Sequence, residues 1–80
     1  MKIGMLWFDN DPKLDVGNKV QKAAEYYRKK YGQDPNVCFV HPSMLAGQDA
    51  KAGSISVVTN STVLPNHFWI GVHQPDGSQP

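Results

Sequence analysis

The sequence predicts a two-layer α+β sandwich, one helix on a mixed sheet of about four strands in the order β-α-β-β-β. Three observations predict it. The run Ile3-Gly4-Met5-Leu6-Trp7-Phe8 is apolar on both alternating faces, as a strand covered on two sides is. A helical stripe follows it. Two later stretches, Ile55–Asn60 and Val63–His73, have strand character. The chain has 80 residues, too few for a second core. A domain of this size buries roughly 60–65% of the surface its unfolded chain exposes, so one core is its whole support.

The first strand stops at Asp9-Asn10-Asp11-Pro12, a cluster of turn formers. Asp11 before Pro12 also suits a helix start, because aspartate caps free amides and proline at the first helical position loses no bond. The helix is expected to run to Tyr31 and stop at Gly32. Val16, Val20, Ala23, Ala24, Tyr27 and Tyr31 share an arc of about 100°, wide enough to lie on a sheet. Gly17 borders that arc, which suggests a close approach of helix and strand. Asp15 with Lys19, and Glu25 with Lys29, are i,i+4 pairs in the favourable order.

Val37-Cys38-Phe39-Val40 reads as the second strand, parallel to the first through a right-handed crossover. Residues 43–54 show no sustained period and read as a loop with Met44 and Leu45 tucked under it. Ile55, Val57 and Thr59 alternate with a wetter face, Asn60-Ser61-Thr62 is a turn, and the last strand is expected to pair with the third as a hairpin. Pro65 makes its first part an edge, a bulge or a break. Residues 1–73 are read as one domain and 74–80 as a disordered tail.

Composition narrows the class. A hydrophobic content of 40% with 10% aromatics supplies a packed core, which excludes a disordered chain. A single cysteine excludes an internal disulfide framework. No apolar run reaches the roughly 18 residues of a membrane span, and the first run reads as a strand and not as a signal peptide. We therefore expect a cytoplasmic protein, with no membrane partner and no cofactor.

Four features invite a functional reading. The acidic turn offers Asp9 and Asp11 as oxygen ligands for Mg²⁺ at the carboxyl end of a strand, where ligands of open α/β sheets bind; helix capping and dipole complementation account for the same residues. The helix segment 12–31 carries +4 and the remaining residues −3. Lys19, Lys22, Lys29 and Lys30 share an arc with Tyr26 among them, a pattern suited to phosphate contact and base stacking, or simply to a solvated face. Cys38 and His41 form one C-x-x-H pair, but a cysteine inside an apolar strand reads as an inert buried thiol. Finally, His67, Trp69 and His73 alternate onto one face of the last strand, opposite Phe68, Ile70 and Val72, with Gly71 leaving room beside Trp69. That face suits a partner, or a minor core under the 43–54 loop.

The hydrophobic strand followed by Asp9-Asn10-Asp11 resembles the strand-then-Asp-x-Asp start of haloacid-dehalogenase-type phosphatases. That resemblance implies metal-dependent phosphoryl transfer at this turn, but those longer enzymes carry further acidic and lysine motifs that this chain lacks. The same strand, Asp9 and the following helix resemble the start of the small ferredoxin-like nucleases associated with CRISPR. The second half departs from them at Pro42–Gly53, and no residue carries over. The whole chain, above all Met5–Pro12 and Asn66–Val72, resembles short bacterial proteins without an assigned activity, which implies none here.

One helix covers one sheet face, so some of Leu6, Trp7 and Phe8, together with Trp69, should lack a cover. The leading expectation is a non-catalytic interaction module that forms a homodimer or binds a protein partner through His67, Trp69 and His73. A nucleic-acid-binding accessory protein using the helix strip is the first alternative. A metal-dependent phosphoryl-transfer or nuclease subunit using Asp9 and Asp11 is the second.

Overall fold

The computed structural model describes residues 3–45 and 50–73. The expected tail, 74–80, lies outside them. The elements are β1 (Ile3–Phe8), α1 (Val16–Tyr31), β2 (Val37–Val40), β3 (Ala50–Ala52), β4 (Ile55–Thr59) and β5 (His67–Val72). A short 3-10 turn, Pro42–Met44, follows β2. The α+β sandwich is as the sequence predicts: the described residues form one helix on a mixed sheet, but the sheet has five strands in the order β1-β5-β2-β4-β3. The additional strand is β3, which arises within the stretch expected to be loop.

The expected hairpin between the last two long strands does not form. β5 lies between β1 and β2 and is antiparallel to both, whereas β4 pairs with β2 in parallel. Side-chain pairing explains the swap. Between β1 and β2, Phe68 and Ile70 are flanked on both sides by apolar residues, Trp7 and Met5 on β1 and Val40 and Cys38 on β2, and both are fully buried. Residues 60–66 supply ample chain to step over one strand, a distance of about 9.6 Å. β4 finds its hairpin partner in β3 instead, through a turn containing Gly53 at φ 62°.

The helix starts later than expected. Asp15 is the N-cap and its side chain accepts the Asn18 N–H at 2.8 Å. Asp11 instead accepts the Lys13 N–H at 2.9 Å, and Asp9 accepts the Asp11 N–H at 2.9 Å. Two successive side-chain turns satisfy the backbone locally and delay the helix. The stop is as expected: Gly32 is left-handed at φ 73° and its N–H donates to the Arg28 carbonyl.

Val20, Ala23, Ala24 and Tyr27 bury the predicted stripe against one sheet face, with Val16 and Tyr31 packed at its ends. Gly17 makes no close approach to a strand, since a Cβ there would meet only the Asp15 carboxylate at 3.6 Å. Across the sheet beneath the helix runs the row Met5, Ile70, Cys38, Val57, with Trp7, Phe68 and Val40 beside it. Met44 and Leu45 pack onto this same core, so they cover the helix side and not the Trp69 side. Among the described residues no helix is long and apolar enough to cross a membrane.

Candidate interaction surface

The opposite sheet face is built from the alternate residues. Pairing places Leu6 opposite Trp69, Trp69 opposite Phe39, and Phe39 opposite Val58. Four apolar side chains therefore form one row across β1, β5, β2 and β4, and none of them is charged. Leu6 is 58% exposed, Phe8 55%, Leu64 66% and Trp69 37%. The sequence leaves open which of the first strand's two sets lacks a cover. Trp7 lies on the helix side, half-buried and stacked on Tyr26 with ring centroids 4.6 Å apart, so Leu6 and Phe8 are the uncovered pair. The Trp7 Nε1 is buried without a hydrogen-bond partner among the described residues.

Trp69 is held in place by its neighbours. Its indole lies over Gly4 on the adjacent strand, where an added Cβ would stand 2.5 Å from Cζ2 and 2.8 Å from Cε2. The residue that makes room for Trp69 is thus Gly4, and Gly71, which the sequence suggested, lies on the same row as Gly4. Only glycine lets a strand backbone serve as a floor for an aromatic ring. Phe8 packs on His67 at 5.0 Å between centroids, and the His67 Nδ1 lies 3.0 Å from the Pro65 carbonyl oxygen.

Two open grooves flank Phe39. One, of about 530 Å³, is lined by Leu6, Trp69, Leu64 and His67, with Asn60 and Thr62 as its polar groups. The other, of about 570 Å³, is lined by Val37, Val58, Ser56 and His73. His67, Trp69 and His73 therefore share a face, as their alternation predicts, but His73 serves a different groove. The Asn36 side chain clasps the His73 backbone, accepting its N–H at 2.7 Å and donating to its carbonyl at 3.1 Å, which pins the end of β5 to the start of β2. Leu6, Gly4, Phe39 and Val58 belong to this surface as well: Leu6 and Gly4 because the helix covers the other side of β1, Phe39 and Val58 because β2 and β4 follow β5 in the sheet.

The other candidates are placed differently. On the helix, Lys22, Tyr26, Lys29 and Lys30 are exposed, but Lys19 is only 6% exposed and does not belong to the outward strip. Tyr26 is engaged with Trp7. Neither expected i,i+4 pair closes; the ion pair among the described residues joins Arg28 to Asp34 at 2.9 Å. Asp9 and Asp11 each spend a carboxylate oxygen on a backbone amide, and the described residues contain no group of three or more His, Cys, Asp or Glu that could hold a metal. Cys38 is fully buried beneath the helix, and burial pushes its thiol up to about 12. His41 instead caps the 3-10 turn, accepting the Ser43 N–H at 3.1 Å.

Compared with protein-family models, with characterised proteins and with solved structures, the chain matches none of them.

Proposed function

We propose that the protein is a non-catalytic interaction module that self-associates through its uncovered apolar surface, formed by the open sheet face and its β1 rim. The observation that supports this most is the uncharged row Leu6–Trp69–Phe39–Val58, left open on a sheet whose other face packs against the helix. Contiguous apolar surface of this kind marks an association site in soluble proteins. A second copy suits it because an uncharged row meets its own kind without like-charge repulsion. Trp69, ringed by Leu6, Phe39 and His67, has the character of an interface anchor.

Sedimentation velocity across a micromolar concentration series tests the reading. A concentration-dependent dimer is expected, shifted towards monomer by Trp69→Lys while the helix signal in circular dichroism stays near wild type. A wild type that remains monomeric at high micromolar concentration overturns it.

A further inference from the structure

We infer that the second copy docks along the free edge of β1, strand against strand, so that two five-stranded sheets become one continuous sheet. The inference rests on the self-association reading and places the contact at the β1 rim of the apolar surface, through Leu6 and Phe8, with Phe39 and Val58 outside it. Among the described residues β1 ends the sheet, pairing only with β5. Its main-chain polarity follows from one bond. The Asp9 N–H donates to the Asn66 carbonyl at 2.9 Å, so Asp9 belongs to the bonded class of the β1–β5 ladder. The next pair, Phe8 with His67, belongs to the other class, and accordingly the His67 N–H donates to Leu64 and not to β1. By alternation Met5 and Trp7 face β5, and Gly4, Leu6 and Phe8 turn their N–H and C=O groups outward.

An edge of this kind is normally blunted by charge, proline or a bulge. Ile3–Phe8 has no charged residue and no proline, and its register with β5 is unbroken. It is also apolar on both faces, so a strand docked on this edge meets apolar side chains on either side of the sheet. The described residues supply only one neighbour.

The sequence of β1 fits its own antiparallel copy. Centred on Leu6, a two-fold axis places Leu6 opposite the partner's Leu6, Gly4 opposite the partner's Phe8, and Met5 opposite the partner's Trp7. All three outward-facing residues then fall in bonded pairs. On the open face the large ring of the partner's Phe8 lies beside Gly4, where the Trp69 indole already rests. On the helix face a thioether meets an indole, a favourable contact. Registers centred on Met5 or Trp7 use fewer outward groups. The strand spans about 20 Å, so the contact is small beside the roughly 800 Å² per partner of a standard interface.

The test exploits the two-fold, because only there does residue 6 face itself. Leu6→Lys and Leu6→Glu, each alone, should raise the dimer dissociation constant about tenfold or more, since like charges oppose across the axis. Mixed together they should form a heterodimer at least as readily as the wild type forms its dimer. Both substitutions fall at an exposed position, so the fold should stand. Leu6→Pro removes an outward N–H without touching the β5 ladder and should also give monomer with unchanged helix content. A dimeric wild type whose Leu6→Pro variant stays dimeric, or whose Lys and Glu variants fail to pair, overturns edge docking and leaves self-association standing. A monomeric wild type overturns both.

Discussion

Phe68 and Trp69 are adjacent in β5 and lie on opposite sides of the sheet. Phe68 is fully enclosed, between Trp7 on one neighbouring strand and Val40 on the other, beneath the helix. Trp69 is larger and just as apolar, yet more than a third of it is exposed. The difference lies in what the rest of the chain can supply. A strand distributes side chains to both faces with a period of two, whereas a helix of 16 residues lies on one face only. Apolarity in a strand therefore states that a residue seeks cover, and the number of covering elements decides which residues receive it.

The largest expected effect separates those two neighbours. Phe68→Ala opens a cavity in the closed core and should cost about 3–5 kcal/mol of unfolding free energy in denaturant titrations. Trp69→Ala should cost about 1–2 kcal/mol in the monomer, because one side of the indole already faces solvent. Equal costs would mean that the open face is a second core and that the contrast is mistaken.

Cys38 sharpens the contrast on the covered side. Burial pushes its thiol up from 9.0 to about 12 in the folded protein, because it disfavours the thiolate. The folded pKa is the higher one, so this stabilisation is complete below pH 9 and is lost as pH rises from 9 towards 12. Over that window stability should fall by about 1.4 kcal/mol per pH unit from this group. Cys38→Ala should remove that part of the slope, seen by comparing the two proteins' denaturation midpoints at each pH. Ellman's reagent should label the wild type only as fast as it unfolds.

A smaller effect belongs to the open face. Gly4→Ala sets a Cβ against the indole and should cost about 1–3 kcal/mol by displacing Trp69. In a Trp69→Ala background the same change should be nearly neutral, and the double-mutant cycle isolates the contact. If the cost persists without Trp69, the glycine is needed for backbone reasons and the indole's position is incidental.

Local chemistry was legible in the sequence where one element decides it. The helix stripe, the Gly32 stop and the Asn60 turn follow from spacing and turn propensity. The Asn60 side chain accepts the Thr62 N–H, and its carbonyl accepts the Val63 N–H. The uncovered face was legible in outline, from one helix and a doubly apolar first strand. Strand order was not. Val63–His73 next to Ile55–Asn60 looks like a hairpin by proximity, and only the burial of Phe68 and Ile70 between β1 and β2 shows otherwise. The row through Phe39 and Val58 depends on that order, so neither residue could be placed on the surface from spacing alone. Lys19 was misplaced for a related reason. A wheel gives an angle, but the depth of the groove between helix and sheet decides whether a long stem at the stripe's margin is enclosed.

The smallest expected effect concerns the helix that creates the difference between the faces. Asp15 caps it through the Asn18 N–H at 2.8 Å, whereas the Asp11 carboxylate holds the exposed turn before it. Asp15→Ala frees an amide of the first helical turn and should lower stability by about 1 kcal/mol. Asp11→Ala removes a hydrogen bond from a solvated turn and should change it by less than about 0.5 kcal/mol. Hydrogen exchange localises the result. With Asp15→Ala, protection should fall first at the amides of Asn18 and Lys19, whose partners are the Asp15 side chain and carbonyl. The open-face grooves do not involve these groups, so dimer dissociation measured below the unfolding transition should be unchanged. A larger loss from Asp11→Ala than from Asp15→Ala would return the cap to the acidic turn and lengthen the helix towards Pro12. It would also put Asp11 at the helix start, where its carboxylate would complement the dipole.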